Sequence, residues 1–301
     1  MNALVKPLLR PLPLLGLSTG GIILATTLSR TSTMSSSTST KKPWPVTPYT
    51  PRHTSWPYNP SDFTRQDSSP DAGFYSAPRF VTHIDDAAIE TLAEYYDDVL
   101  PRKGRILDFC SSWISHYPRA IDAAAKSGEL DVVGMGMNKA ELVANPFFEP
   151  KDPIGKENYF LVDLNTTPDG IATSIINPSE PEKLLDASTC VVSIDYLTNP
   201  VSVLQSLLSA TKPGGTVHLA ISNRCFPTKA ISRWLRVRED ERLQMVGDFL
   251  HFAGWKRIEV VELSNGKVDE EPAEQGTLKG LMGFMGMGGR DPLWVVRAAK
   301  E

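Results

Sequence analysis

From residue 84 onward the apolar positions switch repeatedly between a helical and a strand-like spacing. In IDDAAIETLAEYYDDVL, residues 84–100, they recur at Ala88, Leu92, Tyr95, Tyr96 and Leu100, which predicts a helix with Asp85 as cap. RILDF predicts the first strand, and RAIDAAAKSG a helix with Pro118 in its first turn and a glycine at its end. LDVVGM reads as a second strand, NKAELVAN as a short helix and NYFLVDLN as a third strand. TCVVSIDYL predicts a fourth, and its continuous apolar run suits burial on both faces. In NPVSVLQSLLSATKPGG, Val201, Leu204 and Leu208 share a helical face before a Pro-Gly-Gly stop, and TVHLAIS is the fifth strand. Two helical stretches follow, TKAISRWLRV and DERLQMVGDFLHFAG. KRIEVVEL and DPLWVVRAA close the chain as strands around the insert GTLKGLMGFMGMGGR, readable as a lid over an apolar acceptor or as a surface loop. Strands alternating with helices predict an α/β class: a doubly wound, mostly parallel seven-stranded sheet with helices on both faces.

The chain before this pattern behaves differently. Residues 1–42 contain no acid and read as a targeting or disordered segment. A mitochondrial transit peptide, a secretory signal and a membrane anchor at residues 12–28 are the options; Pro13 and the Gly20-Gly21 pair weaken the anchor. Met34 offers a second start and an untargeted form. Residues 43–74 carry repeated prolines, which predicts an extended arm, neither helix nor sheet, laid on the domain through Trp44, Trp56 and Tyr58. The folded domain is expected over residues 75–301.

Charge narrows the function. No Asp or Glu precedes Asp62, so residues 62–301 hold 25 basic against 35 acidic side chains, a net charge of −10. An acidic body disfavours a nucleic-acid partner and leaves a small molecule as the expected one. Cys110, Cys190 and Cys225 are far apart without metal-ligand spacing, which predicts reduced thiols in an intracellular protein and no metal site.

In a doubly wound sheet, ligands bind where the carboxyl ends of the strands meet at a reversal of strand order. Five polar clusters follow the predicted strands: residues 108–116, 136–138, 163–165, 193–196 and 222–225. The first of them, within GRILDFCSSWISHYP, has the strand-turn-helix form of a cofactor loop but no glycine in the turn.

With LDFCSSWISHYP, VVGMGMN, DLN and ISNRCFPTKAI in this order, the chain resembles the class I S-adenosylmethionine-dependent methyltransferases, over about residues 75–300. More narrowly it resembles a methyltransferase type 11-like branch with a CSSWxSHxP motif. The resemblance implies a Rossmann-like methyltransferase fold, S-adenosyl-L-methionine as cofactor and methyl transfer to a small-molecule acceptor. It implies cofactor contacts from Asp108, Cys110, Ser111, Ser112 and Trp113 after the first strand, and from Gly136 and Asn138 after the second. Asp163, Leu164 and Asn165 would bracket the adenine, with Ser193 and Asp195 completing the site. Two departures stand out. Cys110, Ser111 and Ser112 replace the family's glycines, and Gly136 stands where the family's ribose-binding carboxylate belongs, leaving Asn138 as a neutral substitute.

Transfer from a sulfonium needs in-line positioning and removal of a proton from the acceptor. His116, Tyr196, Asn223 and Arg224 are the candidates. His116 at the start of a helix would be kept neutral by the helix dipole and suits a base, or is a structural residue. Tyr196 faces the acceptor or packs the strand end; Arg224 binds an acidic acceptor or pairs with a neighbouring acid. Arg79 and His83, in PRFVTHID, lie where the family's N-terminal element covers the pocket. Two other readings remain: a dinucleotide-dependent oxidoreductase, for which VVGMGMNK has only two of three glycines, and a non-catalytic methyltransferase-shaped binding protein.

Overall fold

The computed structural model describes residues 44–149, 157–180, 183–266 and 290–301. The segment at 1–42 expected to be targeting or disordered, with the anchor option at 12–28, and almost all of the Gly/Met-rich insert lie outside these residues. Eight strands form one sheet: β1 (Val46–Pro48), β2 (Gly104–Phe109), β3 (Leu130–Gly136), β4 (Tyr159–Leu161), β5 (Leu185–Val191), β6 (Thr211–Ser222), β7 (Lys256–Ser264) and β8 (Leu293–Ala299). The helices are α1 (Asp71–Phe74), α2 (Asp86–Val99), α3 (Arg119–Lys126), α4 (Lys139–Ala144), α5 (Gly170–Ile175), α6 (Pro200–Ala210), α7 (Ser232–Arg236) and α8 (Glu239–Ala253). No helix among the described residues is long and apolar enough to cross a membrane.

The strand order is β1-β7-β8-β6-β5-β2-β3-β4. β2 pairs in parallel with β3 and β5, β3 with β4, and β5 with β6. β8 runs antiparallel between β6 and β7. This is the expected doubly wound, mostly parallel α/β sheet with one strand more than the expected seven. The added strand comes from the arm: β1 pairs antiparallel with β7, with Thr47 opposite Val260. Proline was expected to keep the arm out of the sheet, but an edge strand bonds on one side only. The carbonyl of Pro45 accepts from Glu262 N at 2.9 Å.

Two apolar layers cover the sheet, and the alternation of strand residues divides them. Leu107, Val133, Leu219 and Trp255 belong to one layer, with α6 and α8. Ile106, Val132 and Ala220 belong to the other, with Leu92, Tyr95 and Tyr96 of α2. His218 on β6 is buried yet satisfied, with Nδ1 2.8 Å from the Tyr95 hydroxyl and Nε2 2.9 Å from that of Thr216.

Several strands end earlier than their apolar runs suggest, and the surplus residues turn toward the carboxyl edge. β4 stops at Leu161; Asp163 then accepts from the Asn165 N–H at 2.9 Å, which turns the chain. β5 stops at Val191, Val192 takes φ +40°, and residues 194–196 form a 3-10 turn. The helix expected over residues 228–237 is shorter, spanning Ser232–Arg236.

The arm is tied down by polar contacts as well as by its aromatic rings. Tyr49 and Tyr58 both donate to Asp248 of α8. Further along, Arg65 Nη1 donates to both carboxylate oxygens of Asp71, at 2.8 and 2.7 Å. Asp71 also meets the fully buried Lys229 at 3.2 Å, and Lys229 bonds Asp67 and the Ser69 carbonyl. These pairs hold the segment at 65–84 over the carboxyl edge of the sheet.

Candidate functional site

The turn after β2 keeps its shape without glycine. Cys110 and His116 take φ of +53° and +55°, left-handed backbone more usual for glycine. The Ser111 N–H donates to Met135 O at 2.8 Å, and its hydroxyl donates to Asp108 Oδ2 at 2.7 Å. Ser112 donates to Glu141 Oε2 at 2.9 Å, and Asn145 Nδ2 donates to the Ser112 carbonyl at 3.0 Å. Side chains of α4 and its C-cap therefore brace the loop. Burial raises the Asp108 carboxyl to about 6, against the lowering effect of bonds from Ser115, Ser111 and Thr189.

Gly136 ends β3 directly beneath this loop. A Cβ there would lie 2.3 Å from the Ser111 carbonyl oxygen, so no side chain fits. The ribose-binding carboxylate of the family pattern is sterically excluded at this position. Asn138 does not stand in for it with a free acceptor. Its Oδ1 caps α4 by accepting from Glu141 N, and its Nδ2 donates to the Tyr75 carbonyl at 2.8 Å. A carboxylate does line the cavity three residues later. Glu141 is buried, accepting from Arg79 N at 2.6 Å and from Ser112, and its carboxylate lines the same cavity.

That cavity, about 350 Å³, sits at the carboxyl edge where β2 is flanked by β3 and β5. Of the residues singled out from sequence, Asp108, Cys110, Ser111, Ser112, Trp113 and His116 line it from the first turn, and Gly136 and Asn138 from the second. Asp163, Leu164 and Asn165 line it after β4, Ser193 and Tyr196 after β5, and Arg224 after β6. Asn165 is committed inside the protein: its amide donates to Asp71 and to Tyr196 O and accepts from Thr198. The Ser193 hydroxyl donates to the Val191 carbonyl.

Two expected site residues fall outside the wall. Asn223 is exposed on the far side of the turn, its Oδ1 3.3 Å from the Ser222 hydroxyl. Asp195 points into the core behind the cavity, 2% exposed, with Oδ2 unpartnered and its carboxyl pushed by burial up to about 8. It lies in the 3-10 turn after β5, where the residue's neighbour Tyr196 faces the cavity instead. The Tyr196 hydroxyl accepts from Phe226 N at 2.8 Å, and burial raises its pKa beyond reach of a proton-transfer role.

His116 precedes α3 by three residues and does not start it; Pro118 is the N-cap. It is neutral for a different reason than the helix dipole. Burial, helped by nearby His83, lowers it to about 4, and its Nδ1 is buried without a partner. Arg224 takes the ion pair that was the alternative to substrate binding, Nε to Asp291 Oδ1 at 2.8 Å, while remaining 62% exposed.

The roof comes from residues 71–84. Asp71, Tyr75, Arg79 and His83 reach the cavity from it, and Phe226 faces them from the β6 turn. The Arg79 guanidinium lies 4.4 Å from the centroid of Phe74 and 5.6 Å from that of Phe226. Glu141 and Phe226 had not been singled out from sequence. Glu141 carried one signal, its place three residues after a helix-capping Asn, which ordinarily marks a capping role and conceals a second one. All three cysteines are free thiols, and the described residues contain no cluster of His, Cys, Asp or Glu able to hold a metal.

No family model matches the chain, and no curated protein matches it. Among solved structures it is similar to a SAM-dependent methyltransferase from Archaeoglobus fulgidus, 13% identical, TM-score 0.42, over 70% of this chain and 94% of the other. It is also similar to the 4+2 cyclase SpnF, 15% identical, TM-score 0.45, over 76% and 91%. A third neighbour is phosphoethanolamine N-methyltransferase 2 of Haemonchus contortus, 17% identical, TM-score 0.41, over 70% of this chain and 52% of that one. At such values the chain's own cavity residues, and not the neighbours' activities, carry the functional reading.

Proposed function

We propose that this protein binds S-adenosylmethionine in the switch-point cavity and methylates a small-molecule acceptor there. One observation carries the reading: the turns after five parallel strands, with the roof at 71–84, enclose a single cavity that combines a buried carboxylate with an unpartnered neutral imidazole. The residues present fit such a cofactor. Glu141 is an ionisable acceptor beside Gly136, whose missing side chain lets a ligand approach the backbone, and so replaces the excluded strand-end acid. Asp163, whose Oδ1 alone is engaged by Asn165 N, keeps Oδ2 for an exocyclic amine. Asp108, Cys110 and Ser111 would face the amino-acid end.

When bound, the cofactor supplies an electrophilic methyl group on a sulfonium sulfur. The protein's part is to exclude water, align the acceptor and take its proton. The imidazole of His116, which lines the cavity and is held neutral at pH 7 by burial, is the group assigned to take that proton. Its basicity is low, which suits a nucleophile whose proton becomes acidic as the new bond to carbon forms.

A non-catalytic binding protein is the second reading. It is favoured by the engagement of Asn138, Asn165, Ser111 and Ser112 in bonds within the protein. Calorimetric titration of the full chain with S-adenosylmethionine and S-adenosylhomocysteine separates the two. Micromolar binding, weakened about tenfold or more in Glu141→Gln through loss of a charged hydrogen-bond acceptor, supports the methyltransferase. Absence of binding at millimolar ligand removes it and leaves the binding protein.

A further inference from the structure

We propose that Arg79 and Arg224 form an anion clamp, and that the molecule methylated carries a carboxylate or phosphate group. The inference rests on the cavity being a methyl-transfer site and adds the chemical class of the acceptor.

The charges of the cavity are unevenly matched. Asp71 is answered by Arg65 and Lys229. Arg79 has no such answer. It is half-buried, lines the cavity, and donates from Nη2 to the Phe74 carbonyl at 2.9 Å, yet no carboxylate among the described residues forms an ion pair with its guanidinium. Glu141 takes the Arg79 main-chain N–H, so the backbone is anchored over α4 while the guanidinium reaches back to Phe226. The guanidinium lies over the Phe74 ring at 4.4 Å, which restricts it and lowers the entropy lost when an anion docks.

Arg224 enters the cavity from the turn that carries Phe226. Its Nε is held by Asp291, and its two terminal nitrogens make no hydrogen bond among the described residues. The aromatic ring of Phe226 is the common wall, with His83 5.4 Å from it. Two arginines with open donor edges, one of them partly withdrawn from water, recognise a carboxylate or phosphate far better than a neutral or cationic group. Arg79 hangs from the roof, with its main chain on Glu141 of α4 and its guanidinium 5.6 Å from the Phe226 ring, and Arg224 lines the same cavity from the β6 turn. The open edge of Arg224 at the β6 turn and the turn of the Arg79 guanidinium toward Phe226 assign the clamp to the acceptor, and the effect of Arg79→Gln on S-adenosylhomocysteine affinity tests that assignment.

The test uses the full chain, with and without saturating S-adenosylhomocysteine, titrated calorimetrically with inorganic phosphate and, separately, with benzoate at constant ionic strength. The expected result is one site for at least one anion, whichever binds more tightly naming the group. Its Kd rises about tenfold in Arg79→Gln and is partly restored in Arg79→Lys, while S-adenosylhomocysteine affinity stays within about twofold. Arg52→Gln, on the arm's surface beside Glu241, is the control and leaves both unchanged. The clamp is overturned if neither anion binds, if Arg79→Gln leaves anion affinity intact, or if Arg52→Gln weakens it equally. It is also overturned if Arg79→Gln weakens S-adenosylhomocysteine tenfold, which would assign the arginine to the cofactor. Failure of wild type to bind S-adenosylhomocysteine would instead strike the methyl-transfer reading, and the anion titration without it would still decide the clamp.

Discussion

Replacing Gly136 by alanine places a methyl group 2.3 Å from the Ser111 carbonyl oxygen and 3.3 Å from Leu142 Cδ2. Ordinary contacts of this kind exceed about 3.4 Å, so a separation of about 1 Å has to open between β3 and the loop after β2. The obstacle is backbone, and the loop cannot swing freely: the Ser111 N–H is tied to Met135 O and its hydroxyl to Asp108. Gly136 does not have positive φ, so the objection is steric and not conformational. Overpacking of this order costs about 1–3 kcal/mol. For a domain of this size that corresponds to a fall in Tm of roughly 3–10 °C. Gly136→Asp, which restores the acid of the family pattern, is expected to fall further and to bind S-adenosylhomocysteine more weakly than wild type. Gly73→Ala is the matched control, since nothing lies within 4 Å of its added methyl. Thermal denaturation and calorimetry of the three variants read both effects. A Gly136→Ala protein within about 1 °C of wild type, or tighter binding by Gly136→Asp, would refute the steric account of the missing acid.

Asp195 provides a pH-dependent expectation. Its carboxyl ionises near 3.8 in the unfolded chain and near 8 in the folded one, because burial opposes the charge. The native state thus holds the extra proton between these values; the stabilisation is complete below the lower and is lost as pH rises through the upper. Asp195→Asn should be more stable than wild type at pH 9, on the order of 1–3 kcal/mol, and should lose that advantage by pH 5. Urea midpoints at the two pH values check it; an advantage independent of pH contradicts the assignment. Lys229→Met removes a fully buried cation from Asp67 and Asp71 and is expected to destabilise by about 2–4 kcal/mol. Proteolysis within residues 65–71 should accelerate in the same variant, and unchanged protection would show that Arg65 alone holds the segment.

The strands of the sheet were legible because most are buried on both faces and read as unbroken apolar runs. β1 was not, since Pro45 and Pro48 argue against any strand except one at an edge, and an edge is a property of the assembled sheet. The location of the site followed from the rule that ligands meet strand ends, and thirteen of the expected residues at the ends of β2, β3, β4 and β5, with Arg224 after β6, do line one cavity. Side-chain direction within those turns was hidden. Asp195 and Tyr196 are adjacent, and only the 3-10 turn decides that the acid faces the core and the phenol the cavity. Asn138 read as a neutral acceptor for the cofactor because the engagement of its Oδ1 in capping α4 shows only once the helix start is fixed. Glu141 was not singled out because the roof that buries it comes from residues more than fifty positions earlier.

That roof sets an order of events for the growing chain. Residues 44–84 emerge well before Lys229, Asp248 and β7, the groups that hold them, which follow roughly 160–215 positions later. At ordinary elongation rates the roof segment waits on the order of 10–40 s for its partners. Until they arrive the cleft lacks its anchored roof, while the turns after β2 to β6 that carry its chemistry emerge in succession. A bound ligand thus reports completion of the whole chain, and a nascent or truncated protein lacking β7 and β8 would be discriminated against by the very cavity whose floor it already possesses.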